Sequence, residues 1–155
     1  MSSNRKHRLL LINPFSTYKR HDFHDVHALS PPLALGIIAA LTPDHWEVEI
    51  LDENFEDFTF RPADLVGLTS MTASVNRAYE LAGTFRKAGI PTVIGGIHAS
   101  MLPEAAGQFV DTVGTGEAES VWKELIADCE QGILKPRYDG KLLPMDGAPA
   151  PRRDL

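Results

Sequence analysis

The sequence predicts an α/β domain in which a parallel sheet of five strands is covered by helices on both faces. Short apolar runs alternate along the chain with segments whose apolar residues recur at the helical period. Glycine or proline stands at the ends of most of these segments. Of the 155 residues, 43% are hydrophobic and 23% are charged, which is typical of a globular domain with its own core. Alternating strands and helices of this kind build a doubly wound sheet.

The five predicted strands end in small, polar or turn-forming residues. They are the segments RLLLINP, WEVEILDE, ADLVGLTS, PTVIGG and VDTVGTG, which begin at Arg8, Trp46, Ala63, Pro91 and Val110. Right-handed crossovers favour the strand order 2-1-3-4-5, the flavodoxin-like arrangement. In such sheets a ligand binds outside the carboxyl ends of the strands, beside the switch point between strands 1 and 3.

Four helices are predicted between and after these strands. They are SPPLALGIIAAL with Ser30 as N-cap, ASVNRAYELAGTFRKAG closed by Gly89, LPEAAGQF begun by Pro103, and EAESVWKELIADCEQG closed by Gly132. Residues 133–155 are rich in proline and lack a period, so we predict a linker or arm there. Residues 1–8 are predicted to be a disordered basic tail, which leaves residues 9–132 as the domain.

Composition excludes several classes of protein. A net charge of −6 argues against a nucleic-acid partner. No apolar run approaches the length of a membrane span, and no signal peptide is visible, so the expected location is the cytoplasm with no membrane partner. Cys129 is the sole cysteine, which excludes an internal disulfide and an iron–sulfur cluster or CxxC zinc site held by this chain alone.

The predicted carboxyl edge is rich in glycines and hydroxyls and poor in charge. Its residues are Asn13, Pro14, Thr69, Ser70, Met71, Thr72, Gly95, Gly96, His98, Gly114, Gly116 and Glu117. A receiver domain would need a carboxylate after strand 3 and a lysine after strand 5. No P-loop motif is present, and GTGEAE follows the last strand, where a dinucleotide fingerprint does not belong.

This inventory favours a large, mostly neutral ligand, because glycines let a bulky ring system approach the backbone and hydroxyls supply hydrogen bonds. An alternative stays open for each glycine, namely that it serves only a tight turn between a strand and a helix. Glu117 likewise has two interpretations. Its negative charge could stabilise the N-terminus of the last helix, or its carboxylate could contact a ligand.

Several segments together resemble the N-terminal cobalamin-binding domain of B12-dependent radical SAM enzymes, a group that includes methyltransferases and an anaerobic porphyrin-ester cyclase. The segments are PPLALGIIAAL, VEILDE, ADLVGLTSMTASVNRAYELA, PTVIGGIHASMLPE and DTVGTGEAE. The resemblance implies a Rossmann-like cobalamin-binding fold with the cofactor at the carboxyl edge. By this resemblance Thr69, Ser70 and Thr72 would contact the nucleotide tail and Gly95 and Gly96 would make room for it. On the same basis Gly114, Gly116 and Glu117 would border the tail, and Asn13 and Pro14 would approach the corrin. Met71 would also be a cofactor-binding residue, and His98 would be a residue at the cofactor's edge or in a turn rather than a catalyst.

A histidine-rich loop precedes the first helix. In DVHALS, Asp25, His27 and Ser30 stand at the spacing of the DxHxxG motif, whose histidine coordinates cobalt in related cobalamin domains. This spacing makes His27 a candidate cobalt ligand. Because Ser30 replaces the glycine and the loop is longer than in that type, the alternative of an exposed loop histidine stays open. His21, His24 and His27 also form HxxHxxH, which leaves a separate metal site as another alternative.

The resemblance implies a cobalamin-binding module of a radical SAM methyltransferase or cyclase that is not catalytic by itself. S-adenosylmethionine and a 4Fe–4S cluster would belong to a radical SAM barrel, in cis or in trans, because this chain lacks CxxxCxxC. The alternative is a non-enzymatic interaction or sensor domain with a degenerate ligand site. A different flat cofactor, such as a flavin, is disfavoured by the absence of a phosphate loop after strand 1.

Overall fold

All the strands that the structure describes run parallel in one sheet. The computed structural model describes residues 6–15, 32–144, 146 and 148–155. The strands are β1 His7–Asn13, β2 Trp46–Asp52, β3 Leu65–Thr69, β4 Thr92–Gly95, β5 Thr112–Thr115 and β6 Arg137–Asp139. Their order across the sheet is β2-β1-β3-β4-β5-β6. The predicted fold class and the order of its five strands are therefore confirmed, and the sheet has one strand more than predicted.

Helices connect the strands. They are α1 Leu33–Leu41, α2 Val75–Lys87, α3 Ile97–Met101, α4 Pro103–Ala106 and α5 Trp122–Gln131, with a 3₁₀ turn at Ala118–Ser120 ahead of α5. The last helix begins at Trp122, later than the predicted start at Glu117, because the 3₁₀ turn takes the intervening residues. The sequence did not predict α3, which is a single short turn and too brief to show a period. Within the described part of the chain, no helix is both long enough and apolar enough to cross a membrane.

The two faces of the sheet bury separate clusters of apolar side chains. Consecutive residues of β1 point to opposite faces, so Leu10 and Ile12 pack with α2 while Leu9 and Leu11 pack with α1 and α5. Phe85 of α2 is fully buried in the first cluster. This alternation also decides which residues at the carboxyl edge face α1 and α5.

The strand β6 lies in the segment that was predicted to be a linker. Tyr138 is buried there, and its hydroxyl donates a hydrogen bond to Asp128 Oδ2 at 2.6 Å and accepts one from the backbone N–H of Lys135 at 3.1 Å. Burial raises the pKa of Tyr138 to about 12, with the Asp128 hydrogen bond adding to the rise. Residues 137–139 are therefore part of the sheet, and the predicted boundary at residue 132 was drawn too early.

The substitution Tyr138→Phe should lower the free energy of unfolding by about 1–3 kcal/mol, because it removes the donor to a buried carboxylate. Urea unfolding followed by circular dichroism measures this loss. Tyr79→Phe is the matched control. The Tyr79 hydroxyl is buried and has no hydrogen-bond partner among the described residues, so its removal should be neutral or slightly stabilising. Equal stability of Tyr138→Phe and wild type would contradict the packing of β6.

A segment near the C-terminus packs on α1. The backbone N–H of Arg152 donates a hydrogen bond to the carbonyl of Gly36 at 3.0 Å. A Cβ atom at Gly36 would lie 2.8 Å from the carbonyl oxygen of Arg152, so only glycine allows this approach. The contact holds residues 151–152 against α1, which forms one wall of a pocket at the carboxyl edge of the sheet.

Candidate functional site

The last residues of four neighbouring strands and the last but one of β5 form a row across the carboxyl edge. The strand registers pair Asp52 with Asn13 and Thr69 with Gly95. The pairs one residue earlier, Ile12 with Leu68 and Ile94 with Val113, align these strands with each other and with β5. We call this the edge row; in order across the sheet it contains Asp52, Asn13, Thr69, Gly95 and Gly114. The residues before each of these pack in the α2 cluster, so the edge row faces α1 and α5.

A pocket of about 250 Å³ opens between the edge row, α1 and α5. Its lining side chains are mostly apolar and include Leu11, Leu35, Ile38, Val93, Val121, Trp122 and Leu125. Six of the predicted site residues also line it, namely Thr69, Gly95, Gly96, Gly114, Gly116 and Glu117. An apolar cavity bordered by a few polar groups is the usual form of a small-molecule site.

Two of the lining glycines are not required by the protein's own packing. A Cβ atom at Gly95 would meet no atom closer than 3.9 Å, and one at Gly114 none closer than 3.7 Å, which are ordinary contacts. Neither residue has a positive φ. The fold would therefore accept a side chain at either position, and the missing side chains leave open the space that the pocket occupies.

Two further lining glycines, Gly96 and Gly116, are required by the backbone. Gly96 has φ 98° and ψ −175°, and a Cβ atom there would lie 2.6 Å from the carbonyl oxygen of Ser70. Gly116 has φ 64°, and its Cβ atom would collide with the carbonyl of Gly140. The turn interpretation thus explains Gly96 and Gly116, although both border the pocket. In each of the pairs Gly95–Gly96 and Gly114–Gly116, the first glycine is not required by the fold and the second is.

The residues after β3 and β4 bind one another outside the pocket. Ser70 Oγ donates to the carbonyl of Gly95 at 3.0 Å, and the carbonyl of Ser70 accepts from the His98 N–H at 3.2 Å. His98 is buried, with Nδ1 3.3 Å from the hydroxyl of Thr72 and its ring edge-on to Tyr79. Met71 is exposed. These contacts join the carboxyl ends of two strands.

Glu117 is held by the segment that follows β6. Its Oε2 accepts a hydrogen bond from the backbone N–H of Leu143 at 3.0 Å, and its carbonyl accepts one from Ser120 Oγ at 3.0 Å. The residue therefore begins the 3₁₀ turn and borders the pocket at once. Because α5 begins only at Trp122, Glu117 does not stand at the N-terminus of that helix, whereas contact with a ligand is compatible with its position.

Asn13 and Pro14 lie at the other end of the edge row, and Pro14 is buried. The amide of Asn13 donates from Nδ2 to Asp52 Oδ1 at 3.0 Å. Sequence reasoning did not single out Asp52, although its place at the end of a strand beside β1 was a usable signal. It also missed the apolar walls on α1 and α5, because pocket and core residues share the same helical period.

The candidate metal ligands fall on a different part of the chain. His27, with Asp25, His21 and His24, lies outside the described residues. Within the residues that the structure does describe, no group of three histidine, cysteine, aspartate or glutamate side chains is placed to hold a metal ion.

The geometry defines a ligand-binding domain of the parallel α/β class, whose pocket has few ionisable groups and suits binding rather than acid–base chemistry. Comparison with known proteins shows that the B12 binding domain family matches residues 23–126. The chain belongs to this family, which confirms the resemblance drawn from its sequence motifs.

Three curated relatives are methyl-transferring enzymes by name. The chain is 42% identical over 114 residues to the bacteriochlorophyllide d C-8(2)-methyltransferase of Chlorobaculum tepidum, covering 72% of this chain and 25% of that enzyme. It is 36% identical to the C-12(1)-methyltransferase of the same organism, covering 74% and 26% respectively. It is 29% identical to the hopanoid C-2 methylase of Rhodopseudomonas palustris, covering 88% and 28%. The chain thus spans about a quarter of the length of each relative.

Proposed function

We propose that the pocket takes the nucleotide tail of cobalamin and that the corrin ring lies along the edge row. The observation that carries this proposal is the pair Gly95 and Gly114, whose missing side chains open onto the pocket without being required by the fold. A corrinoid is a broad ring with neutral amide side chains, and its tail ends in an aromatic base. An apolar pocket beside bare backbone suits that base.

The residues that line the pocket fit such a tail. Leu11, Val93 and Trp122 offer apolar surface for an aromatic ring, and the hydroxyl of Thr69 offers a hydrogen bond at the rim. Gly96, Gly116 and Glu117 complete the border. Asn13, Pro14, Ser70, Met71, Thr72 and His98 lie at the same edge outside the pocket lining, and their contacts to the cofactor stay predictions. Cobalt ligation by His27 stays a prediction as well.

We further propose that this domain, spanning residues 9–132 together with β6, serves a radical SAM methyltransferase. The names of the three relatives favour methyl transfer over the cyclase reaction. In that setting cobalamin supplies methyl-carrying chemistry, while S-adenosylmethionine and a 4Fe–4S cluster belong to a radical SAM barrel in cis or in trans. The part of this chain is to bind and orient the corrinoid. The expected cytoplasmic location also remains a prediction.

An open pocket supports a binding role over a sensor domain whose ligand site has degenerated. A degenerate site would be filled by bulky side chains of the protein itself, whereas Gly95 and Gly114 leave the rim bare. The described part of the edge also offers little for a flavin phosphate. The segment immediately after β1 is Pro14-Phe15, in which proline has no backbone N–H to donate.

Titration of the chain with hydroxocobalamin tests the proposal. We expect a change in the corrinoid absorption spectrum and co-elution on gel filtration at about 10–100 µM cofactor. Hydroxocobinamide has the same corrin ring without the nucleotide tail, so it should bind at least about tenfold more weakly. Absence of cobalamin binding in this range would overturn the cofactor assignment. Equal affinity for the two corrinoids would overturn only the placement of the tail.

A further inference from the structure

The carboxylate of Asp52 uses one oxygen to organise the end of β2. Its Oδ1 accepts hydrogen bonds from Asn13 Nδ2 at 3.0 Å, from the backbone N–H of Asn54 at 2.9 Å and from Asn54 Nδ2 at 2.7 Å. These three bonds join β1 to β2 and close the turn that follows β2. The structural work of the side chain is therefore done by Oδ1 alone.

Among the described residues, the second oxygen of the same carboxylate has no hydrogen-bond partner. Asp52 Oδ2 is buried, and no hydrogen bond reaches it from the part of the chain that the structure describes. A buried acceptor left unpaired is unfavourable, so such atoms are rare in native proteins. An oxygen of this kind at the edge of a ligand site is explained by a donor that arrives with the ligand.

Asp52 stands in the right place to meet that ligand. It begins the edge row and lies two strands from Thr69, or about 10 Å at the usual strand spacing. The residue before it, Leu51, packs in the α2 cluster, so Asp52 faces the α1 side of the sheet, as the pocket does. A broad ligand that occupied the pocket and extended along the edge row would therefore pass beside this carboxylate.

We infer that Asp52 Oδ2 accepts a hydrogen bond from a primary amide N–H on the periphery of the bound ligand. Two primary amides of the protein already donate to the other oxygen of this carboxylate, so the site is shown to suit this donor. The corrin ring carries primary amides around its rim. The inference rests on the proposed function and adds to it a contact to the ring, separate from the pocket that takes the tail.

Asp52→Asn tests this contact, because the amide oxygen can keep the three bonds of Oδ1 while the NH₂ group replaces the acceptor Oδ2. We expect affinity for hydroxocobalamin and for hydroxocobinamide to fall by the same factor, about tenfold, since the donor belongs to the ring. Asp44→Asn is the matched control: it makes the same change of charge in the exposed turn before β2, at the opposite edge of the sheet. This control should bind both corrinoids as the wild type does.

A second ligand separates recognition from a structural effect. In cobyrinic acid the peripheral amides are carboxylates, which Asp52 would repel and an asparagine would accept as partners. Asp52→Asn should therefore bind cobyrinic acid more tightly than wild type does. A variant that was only misfolded would instead bind every corrinoid more weakly. If Asp52→Asn does not fold, Asp52→Ser keeps an acceptor for the Asn54 N–H and should show the same loss of hydroxocobinamide affinity.

The outcomes separate the two proposals. If wild type binds no cobalamin, the proposed function fails. If wild type binds cobalamin and Asp52→Asn binds both corrinoids unchanged, the proposed function stands and the amide contact is overturned. Loss of cobalamin affinity without loss of cobinamide affinity would also overturn it, because the contact would then be to the tail.

Discussion

Gly95→Val should abolish most cobalamin binding while leaving the domain folded. The added Cβ atom meets no protein atom closer than 3.9 Å, so the side chain extends into the pocket. Overfilling of a packed site is unfavourable by about 1–3 kcal/mol, which corresponds to a loss of affinity of about 5- to 150-fold. The free energy of unfolding should stay the same or rise, since valine favours an extended strand more than glycine does. Absorption titration and urea unfolding measure the two quantities on one preparation.

The matched control for this variant is Gly83→Val. Gly83 lies in α2, and a Cβ atom there meets no atom within 4 Å. Valine has a slightly better helix propensity than glycine, so this substitution should change neither binding nor folding appreciably. Wild-type affinity in Gly95→Val would place the ligand away from the pocket.

Gly96→Ala, one residue further on, should have the opposite effect and destabilise the fold itself. The φ of 98° with ψ near 180° belongs to a region that only glycine populates readily, and the Cβ atom would lie 2.6 Å from the carbonyl oxygen of Ser70. Backbone strain of about 1–3 kcal/mol adds to this collision, so we expect a loss of about 3 kcal/mol or more in the free energy of unfolding. Urea unfolding monitored by circular dichroism measures it.

Gly89→Ala serves as the reference for that loss. Gly89 also has a positive φ, of 74°, but no atom lies within 4 Å of its Cβ position. Its substitution therefore reports the strain of the backbone without a collision, about 1–2 kcal/mol. If Gly96→Ala proves no more destabilising than Gly89→Ala, the close approach of Ser70 to Gly96 is wrong.

The sequence was informative where one residue type has one physical consequence. The apolar run at Leu9–Ile12 needs two buried faces, and Gly132 after a periodic segment predicts the left-handed residue that ends α5. The strand order followed from the alternation of strands and helices. The positions of Thr69, Gly95 and Gly114 at one edge followed from that order.

Other features depend on contacts that a linear pattern does not record. Gly95 and Gly96 are the same residue type, yet Gly96 has a positive φ and the Ser70 carbonyl against its Cβ position, and Gly95 has neither. The strand β6 has three residues, too few for an alternating pattern, and it is held by the pairing of Tyr138 with Asp128. The role of Asp52 depends on which of its two oxygens is already bonded.

The contact of residues 151–152 with Gly36 affects where the C-terminal boundary of this domain should be drawn. The family match ends at residue 126, before β6 and well before the backbone that supports α1. A chain ended at residue 126 would lose the second half of α5, the outer strand and the brace on one wall of the cavity. Poor corrinoid uptake by such a fragment would report the missing support, and would say nothing about the residues that touch the cofactor.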